Sequence, residues 1–167
     1  MTKMRKNILL IILSFIVLGC SDTIEFNNPA FQANSEGEAW RAVSFAGDID
    51  FGGFIFEGNR GLEVLQIITS DDRRGTYELT PESISVAIFK DAQGTIYSTK
   101  NLPDPSITLF PPEGVIVVED IDNEEPKGVT GTFRFTAFSE DGLSSVNFIE
   151  GVFFKVKLFG GLEALPD

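Results

Sequence analysis

Few residue types in this chain could do chemistry. No histidine occurs among its 167 residues. That removes the Ser-His-Asp triad, imidazole metal sites and the usual neutral-pH proton carrier. Cys20 is the only cysteine. No glycine loop followed by Lys-Ser or Lys-Thr is present to cradle a phosphate, nor is there a dinucleotide fingerprint. Carboxylate chemistry remains, from 25 Asp and Glu residues. A glycosidase needs two carboxyls about 5–9.5 Å apart across a cleft, and an apolar surrounding is what raises the pKa of one of them. No acidic pair stands out as buried in an apolar run. No catalytic residue is assigned, no cofactor is implied, and the chain is expected not to be an enzyme.

The densest run of oxygen ligands is Glu119-Asp120-Ile121-Asp122-Asn123-Glu124-Glu125. Calcium favours such hard oxygens, so Glu119, Asp120, Asp122 and Asn123 are the candidates for a metal. The EF-hand pattern fails because Glu125 stands where glycine is required. A solvated hairpin loop is the preferred reading. Asp48, Asp50, Asp71 and Asp72 add ligands only if the fold gathers their loops. Arg73-Arg74 offers an anion contact, but beside Asp71-Asp72 it reads as a soluble loop. For ligand stacking, the aromatics with polar handles are Trp40, Tyr77 and Tyr97. Trp40 reads better as a core anchor.

Cys20 is set up for a different chemistry. Lys3, Arg5 and Lys6 precede an apolar run at residues 8–18, and Gly19 stands directly before the cysteine. A positive start, an apolar stretch of about 7–15 residues and a small-residue cut site make a secretory signal. The run is too short for a membrane span, which needs about 20 apolar residues. The segment resembles the bacterial lipobox, in which the cysteine sulfur takes a diacylglycerol, the signal is removed and the new N-terminus is acylated. Val17 and Gly19 match it; Leu18 is larger than usual. Each buried methylene contributes about 0.8 kcal/mol and one acyl chain alone binds marginally, so three chains on Cys20 anchor firmly. The expected divisions are a signal at 1–19, a lipidated cysteine and tether at 20–29, a domain at 30–159 and a loose tail at 160–167. The expected location is the cell envelope, on the outer membrane, with periplasmic and surface faces both open.

Without the signal, ten basic residues face twenty-five acidic ones, a net charge of −15. Phosphate backbones would repel such a chain, so nucleic acid is excluded as a partner. The expected partners are the membrane, through Cys20, and an envelope protein or glycan. Fifteen phenylalanines remain, and with Cys20 acylated no disulfide is available. Stability must come from burial, much of it of rings.

The elements that would position these residues are strands. From Ala30 onward, apolar or alternating runs of about 5–10 residues are punctuated by Gly, Asp, Asn and Pro clusters, the all-β pattern. The expected strands are residues 31–33, 39–45, 49–56 (with a bulge at Gly52-Gly53), 62–69, 76–79, 83–90, 95–99, 115–121, 129–138, 143–149 and 152–158. An edge segment is expected at 107–110 within a proline-rich connection. Gly151 marks a bend. Phe133, Phe135 and Ala137 share a dry face opposite Thr132, Arg134 and Thr136. Phe154, Val156 and Leu158 are expected to share another, with one of the rings of Phe153 and Phe154 outside the core. One wet and one dry face mean antiparallel strands. The fold expected is a single antiparallel β-sandwich, with a barrel-like meander as the alternative.

The order of several short pieces resembles a family of small uncharacterised lipoproteins of Bacteroidota. The pieces are Phe31-Gln32-Ala33 with Trp40 after it, Gly75-Thr76-Tyr77, the strand from Gly114, Gly131-Thr132-Phe133-Arg134-Phe135, and Gly151-Val152-Phe153. The resemblance implies a strand-rich domain with no established activity. The expected function is a membrane-anchored, non-enzymatic binding or structural module. The alternatives are a carboxylate-dependent glycan hydrolase and a calcium-stabilised glycan-binding module.

Overall fold

The computed structural model describes residues 30–50, 52–106 and 113–166. The signal, Cys20, the tether and the segment expected at 107–110 lie outside these residues. Among the described residues there is no helix, and one antiparallel sheet carries the fold. Its strands are β1 (Ala30–Ser35), β2 (Glu38–Arg41), β3 (Ser44–Asp50), β4 (Gly53–Arg60), β5 (Glu63–Ile68), β6 (Gly75–Leu79), β7 (Val86–Lys90), β8 (Ile96–Ser98), β9 (Gly114–Ile121), β10 (Gly128–Ser139) and β11 (Ser145–Lys157).

The strand order is β2-β1-β11-β10-β8-β7-β5-β4-β3, with β9 on β10 and β6 on β9. The outermost strands, β2 and β3, follow each other in the chain, so the ends of the sheet are drawn together. Ala42 N donates to Phe31 O at 3.0 Å and Val43 N to Asn59 O at 2.8 Å. A parallel bridge joins Gly47 to Leu158. The all-β antiparallel class is as expected. Of the two architectures, the barrel-like meander is the nearer, because the sheet curls on itself as a half-barrel. β10 forks it: β9 pairs along Val129 to Phe135, and β8 pairs at Phe138 and Ser139.

Rings fill the inside. Phe31 stacks on Phe133 at 5.5 Å, Phe135 on Phe148 at 5.0 Å and Phe56 on Phe153 at 4.6 Å. Such pairs contribute about 0.5–1.5 kcal/mol beyond area burial. Room for them comes from glycines on facing strands. Gly131 lies opposite Phe153, and Gly151 opposite Phe133. A Cβ on Gly151 would meet three Phe133 ring atoms at 2.5–2.6 Å, and a Cβ on Gly131 would overlap the Phe153 ring. The two Gly-x-Phe pieces of the sequence are therefore one reciprocal lock between β10 and β11.

Three expectations change. Residues 44–50 form one strand, so the break expected between strands 39–45 and 49–56 is absent, and Gly52 (φ 85°) lies in the β3–β4 turn, not in a bulge. Residues 145–157 form one strand, not two, with register shifts at Glu150 (φ 53°) and Lys155 (φ 50°). Each shift inserts an extra residue that resets the alternation. Phe153 therefore faces inward in place of Phe154, while Val156 is buried and Leu158 packs against the core as expected. Phe154 stands outside with the Lys155 ammonium 5.5 Å from its ring. Finally, residues 160–166 do not hang loose. They lie across the outer face of β3 to β5, held by Asp48 and Gln66.

Candidate functional site

Curling brings four hairpin ends to one end of the body. The ends are the β1–β2 turn, the β4–β5 turn, the β7–β8 turn and the start of β11. Together they enclose a cleft of about 370 Å³. Glu36, Glu38, Glu63 and Asp91 line it, with Arg60, Trp40, Phe89 and Tyr97. Four carboxylates thus face one guanidinium.

That guanidinium is already engaged. Arg60 Nε donates to Glu63 Oε2 at 2.7 Å and Nη2 to Oε1 at 3.2 Å, a bidentate clamp. The Arg60 guanidinium carbon sits 5.8 Å from the centre of the Trp40 ring. Trp40 Nε1 donates to the same Glu63 Oε2 at 2.8 Å. The Arg60 hydrogen bonds hold the Glu63 carboxyl below its ordinary pKa, against the opposing effect of burial. Asp91 is used locally: Oδ1 accepts from Gln93 N and Thr95 N at 2.9 and 2.8 Å, an Asx arrangement that fixes the hairpin. Glu36 and Glu38 stand exposed on the rim.

Negative potential converges on Tyr97. Burial pushes its phenol pKa up, and the charges of Asp91, Glu36 and Asp141 push it the same way. Asp141 belongs to a shallower depression lined also by Thr95, Ile96 and Glu140.

The sequence candidates divide. Trp40 is 1% exposed and packs edge-on against Phe31 and Phe148 at 6.0 and 5.9 Å. It is the core anchor expected, and its ring also forms the cleft floor. Tyr97 reaches the cleft. Tyr77 does not: it is buried at the β6 flap, where its hydroxyl donates to Arg73 O at 2.6 Å. Burial raises the Tyr77 pKa too. In the acidic stretch, Asp122 accepts from Gly128 N at 2.7 Å and pairs with Lys157 at 3.2 Å. The Gly128 hydrogen bond is the main reason its pKa falls. Asp120 pairs with Arg74, while Glu119 and Asn123 are exposed. Asp48 accepts from Ile49 N and Leu162 N, and Asp71 pairs with Arg73 at 3.4 Å. Among the described residues, no three acidic side chains come together as a metal site. Asp120 and Asp122 have taken cations of the protein instead.

Sequence reasoning missed Glu36, Glu38, Arg60, Glu63 and Asp91. Each lies at a strand end or turn, where a charged residue is ordinary. Only the pairing order gathers them. Comparison with known proteins adds one finding: a family model described as a domain of unknown function (DUF6252) matches residues 27–157. No curated protein matches, and no solved structure does.

Proposed function

The chain belongs to the DUF6252 family, and we propose that it is a lipid-anchored envelope lipoprotein whose domain is a non-enzymatic binding module. The acidic cleft at the hairpin end is its binding surface, and the ligand carries positive groups. The observation that supports this is the composition of the cleft. Four carboxylates line it, and the one cation there is already clamped by Glu63. An ammonium or guanidinium entering beside Tyr97 meets the charges of Glu36 and Asp91 next to low-dielectric rings, where attraction is stronger than in water.

Strand polarity fits an anchor. β1 begins at Ala30 and ends at Ser35 in the cleft wall. Six residues of strand cover about 20 Å, so the chain enters at the end away from the cleft. Ten residues from Cys20 reach up to about 33–36 Å when extended. Lipidation at Cys20 would hold the module on the envelope, on the outer membrane in this reading, with its cleft turned away from the lipid.

Hydrolysis by a carboxylate pair has less support. A general acid needs its pKa raised toward neutrality, and Glu63 moves the other way. A glycan is the second reading, because Tyr97 offers a ring and a hydroxyl in the cleft.

Isothermal titration of the domain with a lysine- and arginine-containing peptide, and with a neutral oligosaccharide, tests the assignment. Saturable peptide binding that weakens with added salt and is lost in Glu36→Gln/Glu38→Gln supports it. Salt-insensitive binding of the oligosaccharide alone transfers the site to the glycan reading. Turnover of any envelope polymer mapped to this domain overturns the non-enzymatic role. Intact-mass analysis of protein from the native host tests the anchor, and a chain that retains residues 1–19 or a free Cys20 thiol refutes it.

A further inference from the structure

The segment after β11 is bound in a way that reads backbone, not side chains. Gly160 and Gly161 both have positive φ, 79° and 85°. Glycine takes this conformation freely, and here it turns the chain back over the sheet. The seat below is built from two buried polar side chains. Asp48, 5% exposed, accepts from Leu162 N at 3.0 Å. Gln66, 0% exposed, donates to Glu163 O at 2.8 Å and accepts from Leu165 N at 2.8 Å. In a parallel ladder, a residue donates to the carbonyl before its partner and accepts from the amide after it. The Gln66 amide makes this pair of bonds around Ala164. It acts as a piece of parallel strand raised off the sheet, and its second N–H is fixed by Glu57 Oε2 at 2.7 Å.

No side chain of residues 160–166 is fully buried. Leu162 and Leu165 are half-buried, and Glu163 and Ala164 are exposed. The contact is therefore open to any extended peptide with two apolar residues three apart. That is the logic of β-strand recognition: main-chain bonds give affinity and shallow seats give selectivity.

We propose that the outer face of β3 to β5 is a peptide-binding groove, with residues 159–166 as its resident ligand. The groove takes a matching extended segment from a partner protein when the resident strap lifts. This site is separate from the acidic cleft and does not depend on it.

The test uses a variant ending at Leu158 and a fluorescein-labelled peptide of residues 159–166, followed by fluorescence polarisation. Saturable binding is expected. Affinity for the uncut chain should be at least about tenfold weaker, because the strap occupies the groove in cis and lowers the competent fraction. Gln66→Ala in the shortened chain should abolish binding. A shortened chain that unfolds cooperatively yet binds no peptide at millimolar concentration overturns the proposal. So does unchanged binding in Gln66→Ala. If the shortened chain does not fold, a protease site inserted between Gly160 and Gly161 of the whole chain replaces it. Exchange of the cut strap for labelled peptide supports the groove, and a cut strap that neither leaves nor exchanges refutes it.

Discussion

Replacing Gly151 with alanine probes the lock between β10 and β11. The added Cβ would lie 2.5–2.6 Å from the Cε2, Cδ2 and Cζ atoms of Phe133. Carbon atoms settle at about 3.5–4.0 Å, so the ring must move by about 1 Å. It has nowhere to go, since it stacks on Phe31 at 5.5 Å and on Phe135 at 6.2 Å. Overpacking of this kind costs about 1–3 kcal/mol, and the braced ring places Gly151→Ala in the upper half, about 2–3 kcal/mol. For a domain of this size that lowers Tm by about 4–12 °C. Gly131→Ala should cost more. Its Cβ would overlap the Val117 carbonyl oxygen as well as the Phe153 ring, and backbone yields less than a side chain. The decisive measurement is a double-mutant cycle by urea unfolding. Phe133→Leu removes the obstructing ring edge, so Gly151→Ala/Phe133→Leu should be less destabilised than the sum of the singles by about 1 kcal/mol or more. Gly151→Ala within about 0.5 kcal/mol of wild type, or strict additivity in the cycle, refutes the lock.

Glu63→Gln should destabilise by about 1–2 kcal/mol at neutral pH, because it removes the charge that clamps Arg60. The folded pKa of Glu63 is depressed, so its contribution is present above the unfolded value and is lost as pH falls through the folded one. Urea midpoints of wild type and variant should converge as the pH falls through the folded pKa; a gap that stays constant throughout the acid range contradicts the clamp. Tyr97 should ionise later than an ordinary tyrosine in alkaline difference spectroscopy, and Asp91→Asn should bring its transition down part of the way. Because its pKa is raised, the stability tied to its neutral form holds below the unfolded value and is lost as pH rises through the folded one. Melting curves in calcium and in chelator should coincide within about a degree, given that Arg74 and Lys157 already neutralise Asp120 and Asp122. A shift of several degrees would restore the metal reading of that loop.

Much of the fold was legible because strand alternation is a local property. Phe133, Phe135 and Ala137 face inward against Thr132, Arg134 and Thr136, as their period of two requires. The β4–β5, β7–β8 and β9–β10 hairpins sit where turn residues separate apolar runs. The misreadings share a cause. Glu150 and Lys155 hold positive φ as non-glycine residues, and nothing in their type announces it. Each shifts the faces of the residues after it in β11, which is why Phe154 was assigned to the wrong side, while Val156 and Leu158, beyond the second shift, do meet the core.

The cleft was illegible for a deeper reason, and the same reason ties it to the core. Its walls come from residues as far apart as Ser35 and Val146, so it exists only once the long-range register is set. That register depends on the ring lock. Gly131 against Phe153 and Gly151 against Phe133 hold β11 on β10, and the bulge at Glu150 then sets where Ser145 and Val146 arrive at the cleft. Trp40 belongs to both systems, packed on Phe31 and Phe148 within and bonded to Glu63 at the rim. Gln66 was the one visible clue to a second surface, a lone amide inside the apolar run Val64-Leu65-Gln66-Ile67-Ile68. A polar side chain there must find hydrogen-bond partners or cost the strand its desolvation. Besides Glu57 on the neighbouring strand, its partners prove to be the main chain of residues 163 and 165, almost a hundred positions away, where no local pattern could place them.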